Sequence, residues 1–135
     1  MKIMVVDGQG GGIGKVLVSA LKANFPHVDV LAVGTNSSAT YQMLKAGADA
    51  SATGENAVVV GARRCDVIIG PIGMVIADSL YGEITPKMAC AISQSNAKRI
   101  LIPVNHCDNL VAGISDLSMN KLIESAITML KELCE

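Results

Sequence analysis

Short apolar runs alternating with helical periodicities predict an α/β fold, a doubly wound and mainly parallel five-stranded sheet with helices on both faces. Three observations carry this expectation. The strand-like runs are continuously apolar and rich in β-branched residues, as strands buried on both faces require. The stretches between them repeat apolar residues at three- and four-residue spacing, the period of an amphipathic helix. A glycine cluster separates the first strand from the first helix, the connection where such folds hold ligands.

Ile3–Val6 reads as the first strand. Ile13, Val16, Leu17, Ala20 and Leu21 recur at helical spacing and predict a helix over Gly12–Asn24, ended by Pro26. Val28–Val33 repeats the buried-strand pattern and completes a strand–helix–strand unit. Asn36 or Ser37 can cap a second helix that reaches Ala46 and stops at Gly47 in the C′ position. Ala48–Ala52 is a weak third strand. Glu55–Arg64 has a helical pattern, although the β-branched run Val58-Val59-Val60 competes with it. Asp66–Gly70 is the fourth strand, and Thr85-Pro86 caps a helix expected to reach Asn96. Arg99–Val104 is the fifth strand. The last helix starts near Ser118 and buries Leu122, Ile123, Ala126, Ile127, Leu130 and Leu133.

This succession suits a Rossmann-like sheet of order 3-2-1-4-5, with the flavodoxin-like order 2-1-3-4-5 as the alternative. Met74–Ile84 and Cys107–Leu117 fit no element; each follows a strand at the carboxyl edge.

The chain has 135 residues, which suits one domain, 1–135, with a core of its own. It has no Trp, one Phe and two Tyr, so that core is aliphatic and Met-rich. The net charge is −1, with no basic stripe and no aromatic platform, which argues against nucleic acid as a partner. No uncharged apolar stretch approaches the length of a bilayer span, so no membrane role is expected. Cys65, Cys90, Cys107 and Cys134 form no Cys-x-x-Cys pair and read as free thiols of a cytoplasmic protein. The N-terminal segment reads as the first strand rather than a targeting sequence.

The segment Asp7-Gly8-Gln9-Gly10-Gly11-Gly12-Ile13-Gly14-Lys15 is the most informative in the chain. Five of the seven residues from Gly8 to Gly14 are glycine. Such a turn lets a ligand approach the backbone, and the helix behind it offers unpaired N–H groups and a positive dipole end to a phosphate. The spacing is Gly-x-x-x-Gly-x-Gly through Gly8, Gly12 and Gly14. It is not a Walker A loop, because Gln9 stands where the first glycine belongs and Val16 follows Gly14-Lys15. A small phosphorylated ligand is therefore expected on Gly8, Gln9, Gly10, Gly11, Gly12, Ile13 and Gly14.

This turn resembles the nucleotide-binding turn of short-chain dehydrogenases, with Asp7 where that family usually has Thr. Tyr41-Gln42-Met43-Leu44-Lys45 matches the letters of that family's Tyr-x-x-x-Lys pair but follows the second strand, so it reads as a helix face. Over its whole length the chain is more similar to a small uncharacterised bacterial Rossmann-like family, a domain of unknown function. That resemblance implies fold, not activity.

Three further segments are candidates. The second strand ends at Val33-Gly34-Thr35-Asn36-Ser37, without the Asp or Glu that usually bonds the ribose hydroxyls of a dinucleotide. Gly34, Thr35 and Asn36 are expected to face the ribose. The missing acid leans the reading toward NADP over NAD and leaves another adenine nucleotide open. Gly70, Pro71, Ile72 and Gly73, after the fourth strand, are expected to form the opposite wall of the crevice. Asn105-His106-Cys107-Asp108 collects polar and reactive groups after the fifth strand, and Asn105 is counted with the site. No metal site is expected, since no further His or Cys stands at ligand spacing. Asp78, Tyr81 and Glu83 are the remaining acid–base groups near this edge, in a segment that either covers the site or is solvated loop.

No acid–base dyad, activated nucleophile or substrate domain can be named. The leading reading is a nucleotide-binding or regulatory module, and the alternative is a small NAD(P)-dependent oxidoreductase acting as an oligomer. Mean hydropathy is +0.45, high for a small domain, which points to a homodimer through the last helix and Met119, Met129 and Cys134.

Overall fold

The computed structural model describes residues 1–104, 109–114 and 117–135. Its strands are β1 (Lys2–Asp7), β2 (Asp29–Gly34), β3 (Ala50–Thr53), β4 (Val67–Pro71) and β5 (Lys98–Ile102). They pair in parallel in the order β3-β2-β1-β4-β5, which realises the expected order and sets aside the flavodoxin-like one. The helices are α1 (Gly12–Asn24), α2 (Ser37–Lys45), α3 (Glu55–Arg64), α4 (Pro86–Ser93) and α5 (Met119–Cys134), with a 3-10 turn at Ile72–Val75 after β4.

The continuous apolar run of β1 serves two cores at once, because successive strand side chains point to opposite faces. Ile3 and Val5 join Leu17, Val18 and Leu21 of α1, Met43 of α2 and Ile123, Ala126, Ile127 and Leu130 of α5. Met4 and Val6 join Val58 and Ala62 of α3 and Met88, Ala89 and Ile92 of α4. Each fully buried Leu or Ile here stabilises the fold by about 2 kcal/mol. The chain switches direction across the sheet between β1 and β4, and β1 pairs β2 and β4 on its two edges.

The run Val58-Val59-Val60 is helical, as the Glu55–Arg64 pattern predicts: Val58 is buried while Val59 and Val60 are half-buried, a helical rather than alternating pattern. Glu55 in the first turn and Arg63 and Arg64 in the last suit the helix dipole. Several other expectations are corrected. α4 stops at Ser93 rather than Asn96, because Ser95 Oγ donates to the Ala62 carbonyl and accepts from the Ala97 N–H. β3 begins at Ala50 rather than Ala48, since the Asp49 carboxylate is held by the Val30 N–H and by Lys22 Nζ, both at 2.8 Å. β5 covers Lys98–Ile102 and β2 starts at Asp29, each a residue or two from expectation. Leu133 is 39% exposed rather than buried, because α5, about 24 Å long by helical rise, outruns the five-residue β5 beneath it. The helix starts hold as read: Asn36, Thr85 and Ser118 each accept a backbone N–H of the following turn through their side chains.

Candidate functional site

After the carboxyl ends of β1 and β4 the chain turns to opposite faces of the sheet, and the glycine turn joins β1 to α1. Gly11 is the residue at the head of α1, with φ 72, and its Cα is packed close to Ala39 of α2, where a side chain would meet backbone atoms. Glycine is required there on both counts. The turn is closed by the Gly11 N–H on the Gly8 carbonyl at 3.0 Å. Gln9, with φ 50, is one of four non-glycine residues with positive φ among the described residues.

Asp7, the last residue of β1, is only 4% exposed. Its two oxygens accept the N–H of Gly8 at 2.8 Å and of Gly14 at 2.6 Å. Burial pushes its carboxyl above the usual value, against the pull of the Gly14, Gly8 and Ile13 N–H groups, and the nearby Glu83 charge adds to the rise. The start of α1 thus already engages an internal carboxyl group. The N–H groups of Gly10 and Gly12 meet no acceptor among the described residues. Gly12 opens α1, where backbone donors have no partner within the helix, and Gly10 lies in the turn just before it.

A crevice of about 430 Å³ elsewhere, between the ends of α3 and α4, is the larger cavity, but it lies at the amino edge, away from the turn. At the turn itself a crevice of about 320 Å³ is lined by Asp7, Gly8, Gln9, Gly10, Gly12, Ile13, Pro71, Leu80 and Met119. The expected site residues therefore separate into groups. Gly8, Gln9, Gly10, Gly12, Ile13 and Pro71 share this crevice. Gly11 and Gly14 are buried behind it, Gly14 against Met43 and Asp7, and serve helix packing. Of the expected opposite wall, Gly70 lies against the Val6 carbonyl and Gly73 accepts the Ser79 hydroxyl, so these two and Ile72 shape the loop rather than the crevice. Gly34 is packed against Thr40. Asn105 lies outside the described residues, as do His106, Cys107 and Asp108.

Thr35 and Asn36 do not face open space. The carboxylate of Glu83 covers them: its Oε1 accepts Thr35 Oγ1 and Asn36 Nδ2, both at 2.6 Å, and the Gln9 N–H lies 3.1 Å from each of its oxygens. Burial would raise the Glu83 pKa, but the bonds from Thr35, Asn36 and Gln9 outweigh it and hold the carboxyl below its usual value. Asn36 Nδ2 also donates to the Gln9 carbonyl at 2.9 Å, tying the end of β2 to the turn.

Glu83 arrives on the segment between the 3-10 turn and α4, which the sequence leaves unassigned. This segment borders the crevice through Leu80 and is not solvated loop throughout: Leu80 and Ile84 are buried in the core on the α3–α4 side of the sheet. Three of its non-glycine residues, Asp78, Leu80 and Tyr81, adopt positive φ, as does Gly82. Sequence reasoning names Glu83 only as one of three loop acid–base groups, and misses Leu80 and the lining role of Met119. Tyr41 and Lys45 lie on the outer face of α2, with Lys45 Nζ 5.9 Å from the Tyr41 ring centre, as a helix face predicts. Among the described residues no cluster of His, Cys, Asp and Glu is suited to a metal, and no helix is long and apolar enough to cross a membrane.

No curated protein matches the sequence. In fold the chain is similar to a dodecameric FMN-dependent UbiX-like decarboxylase from Escherichia coli O157:H7, with 19% identity and a TM-score of 0.51 over 97% of this chain and 76% of that one. A nucleoside-diphosphate-sugar epimerase from Pseudomonas aeruginosa is similar at 14% identity, with a TM-score of 0.47 over 96% of this chain and 46% of that one. At 19% identity the likeness to the decarboxylase conveys the fold alone. A family model matches residues 2–135, as the resemblance read from the sequence implies, and the chain belongs to that family, a domain of unknown function (DUF3842).

Proposed function

We propose that this protein is a nucleotide-binding module that carries or senses its ligand, with the ligand's phosphate on the glycine turn. The observation that carries the reading is the pair of N–H groups on Gly10 and Gly12, without acceptors among the described residues, at the start of α1 and beside a crevice of about 320 Å³. Backbone donors at a helix start, at the switch point of a parallel sheet, suit an anion. Small-molecule sites run from roughly 300 to 1,000 Å³, so this crevice suits a mononucleotide, or one half of a dinucleotide, better than a whole one. The two carboxyls nearby, Asp7 and Glu83, are both taken up by hydrogen bonds to the turn and to the end of β2, which favours binding over catalysis.

The experiment is calorimetry with AMP, ATP, NAD, NADP and FMN, the last because of the fold neighbour. Micromolar to low-millimolar binding of one of them supports the proposal; no heat with any at millimolar concentration removes it. Gly12→Val places the ligand. A Cβ at Gly12 has nothing within 4 Å, so the fold survives and the side chain enters the crevice. Loss of binding is expected, and a folded variant that binds as wild type does puts the ligand elsewhere.

A further inference from the structure

The second strand of a dinucleotide-binding unit usually ends in an acid that accepts the ribose hydroxyls. Here β2 ends in Gly34, followed by Thr35 and Asn36, and the acid is missing. A carboxylate stands at that end all the same, and it comes from Glu83, far along the chain. Its oxygens are used unevenly. Oε1 takes Thr35 and Asn36 at 2.6 Å, whereas Oε2 has only the Gln9 N–H, shared with Oε1. A carboxylate can accept about four hydrogen bonds. Oε2 therefore keeps accepting capacity, and Glu83 is only half-buried and bonded to Gln9, which lines the crevice.

The loop holds the carboxylate there against its own preferences. Leu80 and Tyr81 sit at φ 57 and 56, and Asp78 at φ 66. Side chains other than glycine occupy this region only when their surroundings over-determine it. Here the Asp78 N–H on the Ile84 carbonyl at 2.7 Å and the buried Leu80 do so. Gly8 leaves the room: a Cβ on it would stand 2.6 Å from Thr35 Oγ1 and 2.9 Å from Leu80 Cδ1.

We infer that Glu83 supplies the ribose-hydroxyl acceptor that β2 lacks, so that the site selects ribonucleotides with a free 2′-hydroxyl. This rests on the nucleotide reading above. A 2′-deoxyribose leaves Oε2 without its donor. A 2′-phosphate brings negative charge against the carboxylate, which reverses the lean toward NADP that the missing acid in β2 suggests.

The test measures the affinity of the wild-type protein for AMP against 2′-deoxy-AMP, and for NAD against NADP. In each pair the first ligand is expected to bind about tenfold more tightly, the ordinary worth of a hydrogen bond to a charged group in a half-open site. The Glu83→Gln variant should narrow the NAD–NADP gap by weakening NAD and easing NADP. Equal affinity for AMP and 2′-deoxy-AMP overturns the inference and leaves nucleotide binding intact. A variant that binds all four ligands more tightly makes Glu83 a plug rather than an acceptor, and also overturns it. Binding of none of the four removes the nucleotide reading and the inference with it.

Discussion

Leu80 and Tyr81 offer a test of loop strain in which two neighbours should respond with opposite signs. Both hold left-handed backbone, at φ 57 and φ 56. Leu80 is 5% exposed and packs in the core on the α3–α4 side, whereas Tyr81 is 92% exposed at the tip of the loop. Left-handed conformation costs a residue with a Cβ roughly 1–2 kcal/mol. Glycine removes that cost but loses about 0.5–1 kcal/mol through its freer unfolded chain. At Tyr81 almost no packing is forfeited, so Tyr81→Gly should stabilise the protein by about 0.5–1 kcal/mol, the difference of these two terms. For a chain of this size that raises the melting temperature by roughly 2–4 °C.

At Leu80 the same backbone relief is outweighed. Removing a buried leucine side chain costs about 2–5 kcal/mol, so Leu80→Gly should destabilise by about 2–3 kcal/mol after the strain is credited. Urea unfolding of both variants, followed by far-UV circular dichroism, gives the two free energies with a common slope. Tyr81→Gly less stable than wild type, or both variants shifted in the same direction, would refute the assignment of strain to this loop.

Further expectations concern the site and the assembly. Gly8→Ala drives a methyl group toward Thr35 and Leu80 and should cost about 1–3 kcal/mol of stability, with faster hydrogen exchange at the Gln9 amide that Glu83 covers; unchanged exchange would mean that the contact is not closed in solution. The two site acids should give opposite pH dependences. Glu83, lowered from 4.5 in the folded state, contributes stability that is present above that value and lost as pH falls through its folded value, so Glu83→Gln should flatten the acid limb of the urea midpoint. Asp7, raised from 3.8, contributes stability that is fully present below that value and lost as pH rises through its folded value, and Asp7→Asn should abolish that decline. Light scattering at micromolar concentration is expected to give twice the 14.0 kDa chain mass, through an apolar patch at the end of α5 where Met129 is 49% and Leu133 39% exposed; a mass of one chain would discard the homodimer.

What could be read from the sequence was local. β1, the glycine turn and α1 are contiguous, and each carries its own signal: a β-branched run, glycines and an apolar stripe. The caps Asn36, Thr85 and Ser118 act within three residues of their own position, so they too were legible. Glu83 was not. Its bond to Gln9 spans 74 positions, and nothing in Leu80-Tyr81-Gly82-Glu83 says that the backbone turns left-handed or where the carboxylate goes. Asp7 lies between these cases. An acid closing a continuous apolar strand is visible as an oddity, but its role depends on the Gly14 N–H returning to it from the first turn of α1. The three valines of α3 competed with a helical reading that held, since their strand propensity yields to Gly54, Glu55 and the core that Val58 meets.

The two carboxylates divide the site between them. Asp7 lies beneath the turn and occupies the donors of Gly8 and Gly14, leaving Gly10 and Gly12 to a ligand. A phosphate arriving there meets a helix dipole already partly neutralised, and a buried acid whose pKa the new charge must raise further. Binding of an anion and protonation of Asp7 are then thermodynamically linked: each favours the other. Glu83 differs, because its three donors favour its charged form. In the proposed reading the rise in the Asp7 pKa eases the approach of a phosphate, and Glu83, held toward its charged form, suits a neutral hydroxyl of the same ligand.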